Sequence, residues 1–325
     1  MNRTVANKTK KSISYIFPIY NEAATIPVLY KTVTNLLKSH DQYTYELIFI
    51  NDGSKDDSLN ILSKLQSKDE RITVIDFSRN FGHQIAVTAG LDYATGDAVI
   101  IMDSDMQDPP EVSFELIKQW EKGYDVVYAQ RSSRKDTFFK KLSADMFYRL
   151  LQKLADVDIP RNTGDFRLID RKVVDELKKF KEHSRFLRGI VSYVGYKQIA
   201  VQFSRDARYA GVTGYPLKKM IKFAADGILS FSTYPLKLIR NLGFFIAALS
   251  LLGALYALYV RIFIPTAAVP GWTFTVISIL FIGGVQIIIL GVLGSYIGRI
   301  FTEVQNRPLY SVSSILTSDS RKTRR

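Results

Sequence analysis

The chain has 325 residues, no cysteine and a formal net charge of +13. That length suits one large domain or two smaller ones, and the missing thiols exclude a disulfide framework and a thiolate metal site. Three widely spaced histidines, His40, His83 and His183, argue against a histidine-rich metal centre, and the positive charge calls for an anionic partner: nucleic acid, an anionic membrane or a phosphorylated substrate.

Residues 1–12 are basic and polar without an apolar core, so they do not read as a signal peptide. Ser14-Tyr15-Ile16-Phe17-Pro18 predicts a first strand ended by its proline, and Asn21-Glu22-Ala23-Ala24 opens a helix to about residue 39. Leu47-Ile48-Phe49-Ile50 predicts a second strand, stopped by Asn51-Asp52-Gly53-Ser54, with a helix from Asp56 or Asp57 to about residue 67. Residues 72–76 predict a third strand, and 84–94 a helix after Arg79-Asn80-Phe81-Gly82-His83. Ala98-Val99-Ile100-Ile101-Met102 predicts a buried fourth strand, followed by a helix over 112–120 and a strand over 126–128. Such alternation is the pattern of a doubly wound α/β fold with a parallel sheet. Further on, 134–157 reads as helical, 164–169 as a strand, 171–180 and 187–194 as helices, and 197–203 as a strand. Residues 215–231 set Lys218, Lys219 and Lys222 among apolar side chains, the pattern of a helix lying on anionic lipid.

Two apolar runs follow, residues 242–260 and 274–297, and neither contains Lys, Arg, Asp or Glu. Each can cross a hydrocarbon core of about 30 Å, which takes roughly 20 residues, and both carry the small residues that close helix packing in lipid favours. Lys218, Lys219, Lys222, Lys237 and Arg240 precede the first run, while Arg299, Arg307 and the basic residues 321–325 follow the second. The positive-inside rule then predicts a multi-pass protein of the cell (plasma) membrane, with the large N-terminal part and both termini cytoplasmic. The expected layout is a globular domain over 1–214, an amphipathic interface segment over 215–240, a two-span hairpin over 241–300 and a tail over 301–325. The basic residues flank the spans and form no aromatic-interleaved patch, which argues against a nucleic-acid partner.

Asp103-Ser104-Asp105-Met106-Gln107 follows the fourth strand, and Pro109-Pro110 forbids its continuation. Two carboxylates and an amide at a carboxyl strand end suit a hard divalent cation bridging phosphate oxygens. An acidic turn capping the next helix is the plainer reading. Pro18, Tyr20 and Glu22 after strand one, Asp52 after strand two and Arg131 after strand five fall on the same edge. Glu22 and Asp52 are also ordinary helix-start and turn residues. No Gly-x-Gly-x-x-Gly fingerprint and no Walker loop occurs, so metal and basic side chains must hold any phosphates.

Phe17-Pro18-Ile19-Tyr20-Asn21-Glu22, Asn51-Asp52-Gly53-Ser54-Lys55-Asp56, Arg79-Asn80-Phe81-Gly82-His83-Gln84 and Asp103-Ser104-Asp105-Met106-Gln107-Asp108-Pro109-Pro110-Glu111 resemble the motifs of family 2 glycosyltransferases with the GT-A fold. Gly164-Asp165-Phe166-Arg167-Leu168 and Arg208-Tyr209-Ala210-Gly211 narrow the resemblance to polyprenyl-phosphate glycosyltransferases, the dolichyl-phosphate mannose synthase-like enzymes. Two C-terminal spans resemble the bacterial subgroup that glucosylates undecaprenyl phosphate. The resemblance implies that Pro18, Tyr20, Glu22 and Asp52 line the nucleotide base pocket and that Asp103 and Ser104 meet the ribose and diphosphate. It implies that Asp105 and Gln107 hold Mg²⁺ or Mn²⁺, and that Arg131 and Arg208 hold phosphates of donor and acceptor. Two departures stand out: Met106 replaces the usual Leu, and Gly214 replaces a usual Lys, for which Lys218 or Lys219 substitutes.

The implied reaction is inverting transfer of a hexose, glucose from UDP-glucose, to polyprenyl phosphate, with a GDP-mannose-dependent mannosyltransferase or another UDP-sugar as the alternative. An ionised lipid phosphate needs no strong general base, so Asp165 either orients the acceptor, acts as base, or is a structural carboxylate paired with Arg167 or another local cation. A processive polysaccharide synthase would need more spans and a Gln-x-x-Arg-Trp motif, and a non-enzymatic nucleotide-sugar binder would not need the acidic motif. Glycine-rich spans suit a homo-oligomer.

Overall fold

The computed structural model describes residues 10–132, 163–183, 185–204, 234–263 and 271–318. They fall into two compact units, the first taking in everything up to residue 204 together with 308–318, the second taking in 234–263 and 271–307.

The first unit is built on an eight-stranded sheet. In chain order its elements are β1 (Ser12–Ile19), α1 (Ile26–Lys38), β2 (Thr44–Asn51), α2 (Ser58–Gln66), β3 (Ile72–Phe77), α3 (His83–Tyr93), β4 (Ala98–Ile101), α4 (Val112–Glu121) and β5 (Val126–Arg131). They continue with β6 (Thr163–Asp170), α5 (Arg171–Leu177), α6 (Leu187–Val194) and β7 (Gln198–Phe203). After the second unit comes β8 (Val312–Leu316). The strand order is β7-β5-β6-β4-β1-β2-β3-β8. β6 runs antiparallel to β4 and β5, β8 runs antiparallel to β3, and every other pairing is parallel. The sheet is therefore the mostly parallel one expected, with two reversed strands.

The period-two alternation of strands sorts the core onto two faces. Ile13, Tyr15, Phe17 and Ile19 of β1, with Leu47 and Phe49 of β2, join Leu29 and Val33 of α1 and Phe114 and Ile117 of α4 in one buried cluster. Ile16 and Ile50 point the other way, towards α3, which crosses so closely that a Cβ on Gly90 would lie 2.4 Å from Ile16 Cγ2.

β1 does not end at Pro18, as the sequence predicts, but runs one residue further, pairing Pro18 with Ile50. The reason lies in which neighbour each residue faces. Ile16 O accepts from Met102 N, on the β4 side, whereas Ile19 O accepts from Asp52 N, on the β2 side. Pro18 shares the β4-facing parity, and the β4 ladder has already stopped at Ile16↔Ile101, so its missing N–H costs no ladder bond. α1 starts at Ile26, later than the expected Asn21, because Asn21 takes φ +54° and residues 22–25 form a turn closed by Thr25 N donating to Glu22 O at 3.0 Å.

The tail expected over 301–325 contains an element that the sequence reading leaves out. β8 pairs Val74↔Leu316 and Ile75↔Ile315. Ser78 N donates to Ser311 O at 3.0 Å, Tyr310 stacks on Phe77 with ring centroids 5.1 Å apart, and Tyr310 Oη donates to Asp92 Oδ2 at 2.9 Å.

The second unit contains α7 (Tyr234–Phe263) and α8 (Trp272–Val304), of 30 and 33 residues. At 1.5 Å per residue each is longer than a hydrocarbon core is thick. Their most apolar windows are Leu236–Gly253, with mean hydropathy 1.5, and Phe281–Val304, with 1.9. Phe244, Leu252, Ile287 and Ile288 are among the large apolar side chains left exposed, as in helices whose solvent is lipid. Both predicted spans fall inside these helices. The predicted helix over 134–157 and amphipathic segment over 215–231 lie outside the described residues.

Candidate active site

Topology gathers the site. β1 to β3 wind one way and β4 starts on the other side of β1, so the crevice at the carboxyl ends of β1 and β4 is the switch point at which open sheets take ligands. β6 is reversed, so its amino end, Thr163-Gly164-Asp165, comes to that same edge, with Gln130 opposite Thr163. Asp165 thereby arrives beside the ends of β4 and β5 although it opens a strand instead of closing one.

Asp103, Ser104 and Asp105 follow β4 directly. Ser104 is buried and its Oγ donates to Pro18 O at 3.1 Å, tying this turn to the end of β1. Asp105 Oδ1 accepts from Gln107 N at 3.1 Å, and Met106 between them takes φ +58°, so the two oxygen-bearing side chains share one tight turn. Among the described residues Asp103 Oδ1 is buried without a hydrogen-bond partner. Burial raises the Asp103 pKa, His83 opposes that, and the charges of Asp165 and Asp105 add to it.

Asp165 is the most constrained carboxylate here. It is buried; Oδ1 accepts from Arg188 Nε at 2.8 Å, and Oδ2 accepts from Gln84 Nε2 at 3.2 Å and bonds His83 Nε2 at 3.0 Å. Burial pushes its pKa up, but the Arg188 charge and the His83 contact overcome that and hold it well below the ordinary carboxylate range. Its cation is therefore Arg188, whereas the Arg167 guanidinium donates to Gly164 O at 3.0 Å. Gln84 Oε1 in turn accepts from Leu187 N at 3.1 Å, joining the start of α3 to α6. His83 Nε2 also lies 3.7 Å from Asp103 Oδ1. Burial works against the charged ring, yet the Asp165 hydrogen bond and the two carboxylates prevail, raising the His83 pKa to about 9.

Asp52 is buried, and its carboxylate faces the loop after β3. Oδ1 accepts from Phe81 N at 2.7 Å, and Oδ2 accepts from Asn80 Nδ2 at 2.9 Å and Gly82 N at 3.0 Å. Burial raises its pKa against these backbone bonds. Glu22 accepts from Thr25 Oγ1 at 2.8 Å, so it supports its own turn. Tyr20 is 45% exposed at the end of β1. Arg131 closes β5 beside Gly164, whose added Cβ would lie 3.3 Å from the Arg131 guanidinium. The structure thus brings Pro18, Asp103, Ser104, Asp105, Gln107, Arg131 and Asp165 to one edge, and turns the carboxylates of Asp52 and Glu22 towards neighbouring loop and turn. Arg208 and Lys218 lie outside the described residues. His83, Gln84 and Arg188 were not singled out from sequence. His83 and Gln84 stand in a quoted motif, but nothing local marks Arg188, whose role comes from the packing of α6.

The donor set fits a divalent cation only with help. Among the described residues no three His, Cys, Asp or Glu side chains gather as a self-sufficient metal cage. Asp105 and Gln107 offer hard oxygens side by side, the small protein share typical of Mg²⁺ held largely by substrate phosphates and water.

Residues 14–178 match the family described as glycosyl transferase family 2. The chain is 50% identical to an uncharacterized glycosyltransferase, YkcC, of Bacillus subtilis, over 92% of each chain. It is 44% identical to the SfII prophage-derived bactoprenol glucosyl transferase of Shigella flexneri, over 92% of this chain and 97% of that one. Among solved structures, the mannosyltransferase PcManGT of Pyrobaculum calidifontis, in complex with GDP-Man and Mn²⁺, aligns at TM-score 0.45 and 16% identity, over 64% of this chain and 59% of that one. A family match over half of the sequence, with identities of this size along nearly all of it, has one meaning: the chain is a glycosyltransferase and belongs to family 2, the GT-A family that its motifs resemble.

Proposed function

We propose that the protein transfers glucose from UDP-glucose to undecaprenyl phosphate at a membrane surface, with inversion at the anomeric carbon. The observation that supports this most is the 44% identity, along nearly the full length of both chains, to a bactoprenol glucosyl transferase. Two helices of membrane-crossing length and apolarity agree with a lipid acceptor. In this reading the catalytic unit and both termini are cytoplasmic.

Asp105 and Gln107 would hold Mg²⁺ or Mn²⁺, which when bound neutralises charge on the departing diphosphate. Oδ1 of Asp103, which accepts no hydrogen bond among the described residues, is an acceptor suited to a ribose hydroxyl. Arg131, with Arg208 and Lys218, supplies positive charge for phosphate oxygens. Asp165, gripped by Arg188 and His83, is a poor proton acceptor at neutral pH, so it organises the site instead of acting as base. The acceptor phosphate, already ionised, attacks without one.

Purified full-length protein, incubated with a panel of labelled nucleotide sugars and polyprenyl phosphate, should make a glucolipid from UDP-glucose only when Mg²⁺ or Mn²⁺ is supplied. Asp105→Asn should lower turnover by about two orders of magnitude or more, the usual scale for losing an electrostatic contact to developing charge. A mannolipid from GDP-mannose would replace the sugar assignment. Near wild-type turnover of Asp105→Asn would remove that residue from the metal.

A further inference from the structure

His83 is the first residue of α3 and stands where three elements meet: the carboxyl end of β3, the turn after β4 and the amino end of β6. Its Nε2 is committed to Asp165, whose other oxygen is taken by Arg188. A carboxylate fixed by a guanidinium accepts a proton in a hydrogen bond, so Nε2 must be the donor, and the ring is oriented the way an Asp orients a histidine in many sites. The side chain nevertheless remains 40% exposed, and Nδ1 has no partner among the described residues. Asp103, the first residue of the acidic turn, is a second acidic group beside the ring, and the Asp52 carboxylate also feels its charge. The ring is thus held by the buried Asp165 carboxylate, itself fixed by Arg188, beside the residues that receive the diphosphate in the reading above, with one nitrogen to spare.

We propose that His83 is a phosphate-binding residue of this transferase, donating from Nδ1 to a phosphate oxygen. The inference rests on the proposed reaction only for its substrates. Both the nucleoside diphosphate and the lipid phosphate present the required chemistry, an anionic oxygen without a proton. Two alternatives predict different behaviour. A general base would have to leave Nδ1 unprotonated and accept a proton, yet an ionised phosphate acceptor has none to give. A purely structural ring would need only its bond to Asp165.

Paired amide substitutions separate these roles, because Asn reproduces the position of Nδ1 and Gln that of Nε2. Full-length His83→Asn, His83→Gln and His83→Ala should be compared in detergent with Mg²⁺ for donor KM, polyprenyl-phosphate KM, kcat and unfolding midpoint. Calorimetric binding of UDP and of UMP should be measured alongside. The expected result is a KM for one phosphate substrate raised about tenfold or more in Ala and Gln, with Asn retaining most of the affinity. A loss confined to UDP against UMP places the contact on the donor diphosphate, and a loss confined to lipid phosphate places it on the acceptor. Full rescue by Gln would make the ring structural. Unchanged KM values with a lower kcat and an altered pH profile would make it a base. Either result overturns the proposal. UDP and UMP binding need no acceptor, so wild-type protein that bound UDP but made no glycolipid would sink the proposed reaction while still testing the His83 contact.

Discussion

Replacing Gly53 with alanine should dislodge the loop that follows β3. Gly53 sits at φ +64°, where an L-residue with a Cβ costs roughly 1–2 kcal/mol. The larger effect is steric. An added Cβ would lie 2.4 Å from Arg79 C and 2.6 Å from Asn80 N, which are backbone atoms that cannot rotate away. Ordinary carbon contacts are about 3.5–4.0 Å, so the Arg79–Asn80 peptide must retreat by about 1 Å. The next residues, Asn80, Phe81 and Gly82, bond Asp52 at 2.7–3.0 Å, and a retreat of that size takes these bonds beyond useful length. Losing one or two bonds to a charged acceptor removes about 1.5–3 kcal/mol each. Together with the backbone cost, the loss is about 2.5–8 kcal/mol, or about 5–30 °C in unfolding midpoint for a unit of this size. Thermal unfolding of the full chain and limited trypsin digestion at Arg79 measure it, and donor KM should rise with it because His83 follows the same loop. Gly53→Asn is the control, since asparagine tolerates positive φ but keeps the Cβ. If Asn restored wild-type stability, backbone strain alone would be responsible and the close approach of the loop would not matter.

Gly90→Ala should lower stability by about 1–3 kcal/mol through overpacking against Ile16, despite the better helix propensity of alanine; Ile16→Val in the same chain should recover part of the lost melting temperature. Tyr310→Phe should cost about 1 kcal/mol by removing the bond to Asp92, and Tyr310→Ala more, because the stack on Phe77 goes too; calorimetric midpoints of the two variants check the order. The pH dependence follows from signs. His83 is raised to about 9, so its stabilising contact is complete below the ordinary histidine pKa of about 6.5 and is lost as pH rises through about 9. The groups facing it behave differently: Asp165, held low, contributes at every pH above the usual carboxylate range and loses that contribution only in strong acid. Asp103 and Asp52, both raised by burial, favour the fold when protonated and lose that contribution as pH rises through their folded values. The unfolding midpoint should therefore fall between about pH 6.5 and pH 9 in the wild-type protein and stay flatter in His83→Gln.

The sheet was legible because β1 to β4 carry apolar runs broken by Pro, Gly and Asp, and those breaks coincide with the strand ends that form the site. The residues after β4 could be placed on that edge from Asp103 and Asp105 alone. The direction of β6 was not legible. Gly164 to Ile169 reads as a strand whichever way it points, and only its register with β4 and β5 shows that Asp165 lies at the edge bearing Asp103. The partners of Asp52 were not legible for a related reason: Gly53 lets residues 80–82 fold over its carboxylate, and a contact across nearly thirty positions leaves no local pattern. β8 was missed because five residues behind two long apolar helices carry little periodicity, and its strand character comes from the open edge of β3.

Val312 is synthesised 235 positions after Phe77, the residue it meets in the sheet. The flank of β3 must therefore stay bare while the ribosome makes both long helices, and the β3 edge is closed only by residues made after them. Bare strand edges invite pairing with other chains. Nascent protein stalled at residue 307 should accordingly be captured by holdase chaperones and cut readily around residues 78–82, whereas chains released after residue 318 should escape both. Equal protease resistance in the stalled and finished chains would show that the flank needs no such late cover.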